Sequence, residues 1–262
     1  MSASMDTLDV RELETKVKDV YQQVALAPYG PFHFELGRAL AERLGYPADV
    51  LDRVPAGAVE SFAGVGHALD LAALRPGETV LDLGSGSGTD VFCAALAVGP
   101  SGRVIGVDFT PEQLDKARRL AEAHAFGQVE FREGHIEELP VADDSVDCVI
   151  SNGVINLSPR KDRVFTEAAR VLRPGGRLAL ADLVTDRPLG DAITAQAELW
   201  ASCIAGAALE DTYRHLIETA GLRVVRTRPN QYGFLTERAR SASVRYGVKS
   251  ISLLARLPGG TS

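Results

Sequence analysis

The stretch LDLGSGSGTD, Leu81 to Asp90, sets Gly84, Gly86 and Gly88 at alternate positions directly after an apolar run and behind the carboxylate of Asp82. Bare backbone at a strand-to-helix turn lets a ligand approach the main chain, at the place where doubly wound sheets bind nucleotides. The spacing decides between ligands. A dinucleotide fingerprint, GxGxxG, needs glycine at position 89, which is Thr89; the pattern here is GxGxG. Asp82 adds a second discriminator, because a carboxylate there repels a pyrophosphate and attracts an ammonium or the water bound to it. S-Adenosylmethionine has that chemistry: no phosphate, an α-ammonium and a cationic sulfonium. Asp82, Gly84, Ser85, Gly86 and Gly88 are therefore the first expected cofactor contacts.

The next apolar run, RVIGVD, ends in Asp108, about 20 residues beyond the loop, where an acidic side chain grips a ribose diol through charge-assisted hydrogen bonds. Thr110 as N-cap and Pro111 at the first helical position open the following helix, an arrangement that leaves Asp108 free for the ligand. Phe109 is placed to stack on adenine, and the turn at His135 and Ile136 offers backbone groups to the adenine edge. Asn152 and Gly153, in ISNGVINLSP, lie at the tip of the fourth strand, where the methionine end and the acceptor meet. Trp200 and Cys203, one helical turn apart in ELWASCIAG, are candidates for the substrate wall. A protonated acceptor needs a base, for which His67 and His33 are candidates. Tyr21 and Tyr29 are candidates to close over the methionine end. No metal site is expected.

These residues need a frame. From Glu78 onward TVLDLG, RVIGVD, VEFREG, DCVISN and RLALADLV read as strands, with helical periodicity in DVFCAALAVG, TPEQLDKARRLAEAHAFG and KDRVFTEAARVLRPGG between them. Strict alternation predicts an α/β fold, a doubly wound and mainly parallel seven-stranded sheet. LRVVRTRP and YGVKSISLLARL add two late strands at one edge. Before the sheet, a helix over VRELETKVKDVYQQVAL, a second over HFELGRALAERLGY and shorter pieces form an N-terminal helical cap. The expected division is 1–75 cap and 76–262 catalytic domain, with 187–221 a helical segment on the substrate side.

The chain has 262 residues, 45% apolar and 24% charged, with a formal net charge of −7. That balance gives phosphate backbones no general reason to bind, so no nucleic-acid partner is expected. The opening residues have neither a basic n-region nor an apolar h-region, and no apolar run spans a bilayer, so a cytoplasmic protein without membrane partners is expected. Three cysteines without a CxxC pair suggest neither a disulfide framework nor a zinc site.

Taken together, VLDLGSGSGTD, GRVIGVDFTPEQL, EELPVADDSVDCVISNGVINLSP, RVLRPGGRLALADLV and CIAGA resemble the arsenite S-adenosylmethionine methyltransferases, and more broadly the class I methyltransferases, over Pro76 to Gly221. The resemblance implies a Rossmann-like fold and S-adenosylmethionine as cofactor. It also implies thiolate ligands for trivalent arsenic at the positions of Ser85, Gly153 and Cys203, of which this chain keeps only Cys203. A thiophilic metalloid is fixed by several soft ligands, and one thiol does not chelate. The expected reaction is therefore methyl transfer to a small organic molecule through an O, N, S or C atom. Metalloid methylation using Cys203 and a non-catalytic adenosylmethionine-binding module are the alternatives, and a nucleotide-dependent oxidoreductase is disfavoured by Thr89 and Asp82.

Overall fold

A computed structural model describes residues 9–190, 200, 205–235 and 237–259. Helix α1 (Val10–Leu26) starts at Asp9, whose carboxylate accepts the backbone N–H groups of Arg11 and Glu12 at 2.9 and 3.1 Å. Its buried face is Leu13, Val17 and Val24, one stripe at helical spacing. The second expected helix is shorter than its pattern: α2 covers only Arg38–Arg43, because Gly37 before it sits at φ +86° and donates its N–H to Phe62 O. Short helices α3 (Ala48–Leu51), α4 (Ala56–Glu60) and α5 (Leu69–Ala72) complete the lead-in.

The βα alternation follows as read. Strands β1 (Thr79–Leu83), β2 (Arg103–Asp108), β3 (Val129–Glu133), β4 (Val146–Asn152) and β5 (Leu172–Thr185) are separated by α6 (Thr89–Val98), α7 (Pro111–Ala123), a crossover after β3 without a helix, and α8 (Lys161–Val171). A two-residue β6 (Ala208–Leu209), α9 (Glu210–Thr219), β7 (Arg223–Pro229), α10 (Glu237–Tyr246) and β8 (Lys249–Arg256) follow. The sheet runs β3-β2-β1-β4-β5-β8-β7, with β8 antiparallel to both neighbours and β6 pairing β5 off this path. The order reverses between β1 and β4, which leaves a crevice beyond the C-terminal ends of those strands. The Pro174–Gly176 turn is carried inside β5 as an irregularity, since register jumps from Val146↔Leu172 to Cys148↔Arg177.

Apolar side chains pack on both faces. One cluster joins Val80, Cys148 and Ile150 to α6, α7 and the lead-in; the other joins Leu81, Val149 and Leu180 to Phe165 of α8 and Tyr213 of α9. The lead-in is tied to α7 by polar contacts as well. Gln22 donates to Glu112 (2.8 Å), Gln113 to Tyr21 O (2.7 Å), and Lys116 to Ala25 O and to the Ser61 hydroxyl (3.1 and 2.7 Å). On the other side Arg177 of β5 holds Glu78 through two bonds of 2.9 and 2.7 Å and also reaches Ala72 O and Ala73 O. No helix among the described residues is long and apolar enough to cross a membrane.

Candidate functional site

The glycine loop leaves β1 through Gly84, at φ +67°, where a Cβ would fall 2.5 Å from the side chain of Val154. Glycine is required there by both conformation and space. The N–H groups of Gly84 and Ser85 donate back to Val107 O at 2.8 and 2.9 Å. Gly88 serves packing: a Cβ would meet Phe92 and Phe131, and the residue does not line the cavity that the other loop positions face.

Asp108 is less free than the capping pattern suggests. Its Oδ1 accepts the N–H of Thr110 at 2.8 Å and its Oδ2 that of Gly86 at 2.9 Å, while the Thr110 side chain makes no capping bond. One carboxylate thus opens α7 and fixes the glycine loop, and Asp108 is also one of the residues lining the cavity. Asn152 departs further from expectation. Its carboxamide bonds the lead-in, with Oδ1 accepting the N–H groups of Val65 and Gly66, and Nδ2 reaching Gly66 O, Tyr46 Oη and Asp90 Oδ2. Gly153 sits at φ +73°, and a Cβ there would lie 3.3 Å from Val65, so the lead-in packs against the β4 tip beside the cleft.

These elements enclose a cleft of about 1120 Å³ including its mouth. Asp82, Gly84, Ser85, Gly86, Asp108, Phe109, His135, Ile136, Asn152 and Gly153 all line it; of the expected cofactor residues only Gly88 does not. Apolar walls come from Leu13, Val17, Tyr21, Phe62 and Leu157. Inside, Asp82, Asp90 and Asp108 are 2%, 9% and 8% exposed. Burial pushes all three carboxyls above the usual range. Asp82 is pushed further by the charges of Asp90 and Asp108, whereas Asp90 is partly relieved by hydrogen bonds from Tyr46 and Asn152. Among the described residues no lysine or arginine lines the cleft. Three buried carboxylates facing a cavity without a protein cation fit a cationic guest.

Several expected residues lie elsewhere. The His67 ring packs on Tyr46 with centroids 4.2 Å apart, and His33 meets Phe34 edge to face; neither lines the cleft. Trp200 is 7% exposed and packs against Gly206 and the Lys161 ammonium, which lies 4.9 Å above its ring. Tyr29 is 82% exposed, while Tyr21 does line the cleft. Cys203 lies outside the described residues. Cys93 and Cys148 are buried off the cleft, and burial pushes the Cys148 thiol up to about 12.

Two participants escaped the sequence reading. Asp90 stands in the quoted loop but reads there as an ordinary first-turn carboxylate of α6. Tyr46, whose hydroxyl donates to Asp90, is 44 residues away in the chain and carries no local signal.

A sheet of this order with one reversed strand, a GxGxG loop after β1 and an acid at the tip of β2 define a Rossmann-like class I methyltransferase fold. The chain belongs to the family described as a methyltransferase domain, which matches residues 74–221. It is 49% identical over 189 residues to an arsenite methyltransferase from Halobacterium salinarum, covering 72% of this chain and 48% of that protein. With an arsenite methyltransferase from Aquipseudomonas alcaligenes it shares 44% over 174 residues, 63% of this chain and 50% of the relative. The chain thus spans about half the length of these curated relatives. Among solved structures, an arsenic(III) S-adenosylmethionine methyltransferase from Chlamydomonas reinhardtii superposes with a TM-score of 0.63 at 33% identity, covering 85% of this chain and 74% of that one.

Proposed function

We propose that the chain transfers a methyl group from S-adenosylmethionine to a small, non-anionic organic acceptor by in-line displacement. The observation that carries this reading is the set of three buried carboxylates, Asp82, Asp90 and Asp108, facing a cleft that no described lysine or arginine lines. A cationic, phosphate-free donor supplies the missing charge, and a pyrophosphate would be repelled. Asp108 accepts from the ribose hydroxyls, Phe109 lies against the adenine, the backbone of His135 and Ile136 meets the adenine edge, and Asp82 faces the methionine ammonium. Residues 1–75 act as the cap and 76–262 as the catalytic domain.

When bound, the donor brings a methyl group already activated on sulfonium sulfur. The protein's part is to orient it and exclude water, and such positioning is worth up to about 7–11 kcal/mol. The lead-in serves this by walling the cleft with Leu13, Val17, Tyr21 and Phe62. His67 and His33 do not line the cleft, so neither is assigned as a base. The acceptor is taken as organic because Ser85 and Gly153 stand at two of the three positions where the resemblance implies thiolates, and Cys93 and Cys148 are buried away from the cleft.

Arsenite methylation is the second reading, favoured by the names of the relatives at 49% and 33% identity. Calorimetry with S-adenosylmethionine, S-adenosylhomocysteine and NADH tests the donor, and transfer of labelled methyl groups to arsenite and to a panel of phenols, amines and thiols tests the acceptor. Binding of NADH in place of the methionine compounds overturns the proposal. Turnover of arsenite that is abolished in Cys203→Ser replaces the organic reading with the metalloid one. Donor binding without turnover of any acceptor favours a non-catalytic module.

A further inference from the structure

We propose that Asn152 is a positioning residue whose carboxamide pins the Ala63–Gly66 segment over the cleft, and that donor affinity depends on that closure. The second half rests on the methyl-donor reading above. An amide side chain has two N–H donors and one carbonyl oxygen with two acceptor sites. At Asn152 all are committed within the protein. Oδ1 accepts from Val65 N at 2.8 Å and Gly66 N at 3.3 Å, and Nδ2 lies 2.9 Å from Gly66 O, 3.0 Å from Tyr46 Oη and 3.1 Å from Asp90 Oδ2. Nothing remains for a ligand.

The pinned segment matters because Ser61, Phe62, Ala63 and Gly64 are themselves a wall of the cleft, facing Gly153 and Val154 beyond the β4 tip. It is held from the other side by Ser250 of β8, whose hydroxyl donates to Val65 O at 2.6 Å. The close approach is built into the sequence, since a Cβ on Gly64 would fall 2.5 Å from Nδ2 of Asn152. An amide is the side chain that suits the place. Leucine of similar shape would leave the Val65 and Gly66 N–H groups without their acceptor, and an ionised aspartate would add a charge beside Asp90 and Asp82.

The test compares wild type with Asn152→Leu and Asn152→Asp, reading amide hydrogen-exchange protection at Val65 and Gly66, with Leu81 and Val149 of the sheet as folding controls, and titrating S-adenosylmethionine by calorimetry. Asn152→Leu is expected to lose protection at both amides with the sheet controls unchanged, and to bind the donor about tenfold more weakly, the loss one ordinary hydrogen bond produces. Asn152→Asp carries a readout that loss of packing alone would not move. In acid its protonated carboxyl donates and accepts as the amide does, so protection returns; once it ionises as pH rises, repulsion from Asp90 and Asp82 releases the segment, with Tyr46 and the His67 ring behind it as the other titratable neighbours. If Asn152→Leu fails to fold, Gly64→Ala displaces the same amide from the opposite side and is held to the same outcome. Unchanged protection in a folded variant overturns the latch, and lost protection with unchanged donor affinity overturns its link to binding. Failure of the wild type to bind the donor at all sinks the methyl-transfer reading instead, and exchange at Val65 and Gly66 then decides the latch alone.

Discussion

The carboxylate of Asp108 accepts the backbone N–H of Gly86 at 2.9 Å, so the tip of the second strand and the glycine loop form one hydrogen-bonded unit. Asp108→Ala removes this brace together with the proposed ribose acceptor. It is expected to weaken S-adenosylmethionine binding by about 1.5–3 kcal/mol, the range for hydrogen bonds to a charged group. Asp108→Asn keeps one oxygen acceptor and should fall between the two. Calorimetry reads the affinity, and exchange at the Gly86 amide reads the brace. An alanine variant with wild-type affinity would remove Asp108 from the site.

The buried carboxyls set a pH dependence whose sign can be worked out. Asp82 and Asp90 titrate above the 3.8 of a free aspartate, chiefly through burial. Between that value and their folded pKa the native state binds more protons than the unfolded chain, so the ligand-free protein loses stability as pH rises through the window. A cationic donor favours the ionised carboxylates and offsets this loss. The rise in Tm on adding S-adenosylmethionine should therefore grow as pH is raised from about 4 toward neutrality. A constant or shrinking Tm increment, measured by scanning calorimetry over that range, contradicts a donor placed among these carboxylates.

Much of this frame is visible before folding, and the omissions have a physical pattern. Helix α1 coincides with its apolar stripe at Val10–Leu26, and strands β1, β2 and β4 with their short apolar runs, because local periodicity encodes burial. Asp82 and Asp108 could be placed beside one crevice because loop spacing and strand order are also local. The Asn152–Val65 and Tyr46–Asp90 contacts could not, since each joins residues dozens of positions apart and ties the site to a lead-in that has no motif. Helix α10 has no counterpart in the sequence pattern, because ERARSASVRY has few apolar residues to mark a face.

Tyr46 donates its hydroxyl to Asp90 and accepts from Asn152 at 3.0 Å, with its own ionisation held well above the usual phenol range by burial. Tyr46→Phe keeps the ring against Phe62 and His67 and removes only that oxygen. Leaving a buried carboxylate short of a donor costs about 1–3 kcal/mol. The loss, read by urea denaturation, should be larger at neutral pH, where Asp90 is pressed to ionise, than in acid, where it is protonated. Equal losses at both pH values would show that the hydroxyl does not serve the Asp90 charge.

Acceptor charge offers the last test. Besides the three aspartates, Glu14 and Glu137 line the cleft, and no described lysine or arginine does; the Lys18 ammonium lies 5.4 Å from the centre of the Phe109 ring. At an effective dielectric of about 20, an anion 6 Å from one carboxylate is opposed by roughly 3 kcal/mol, so several together exclude it. A small-molecule extract separated by ion exchange into cationic, neutral and anionic pools should accept labelled methyl groups in the first two and not in the third. Label recovered mainly in the anionic pool would contradict this charge assignment, and Glu137→Gln and Glu14→Gln would then show no preference to relax.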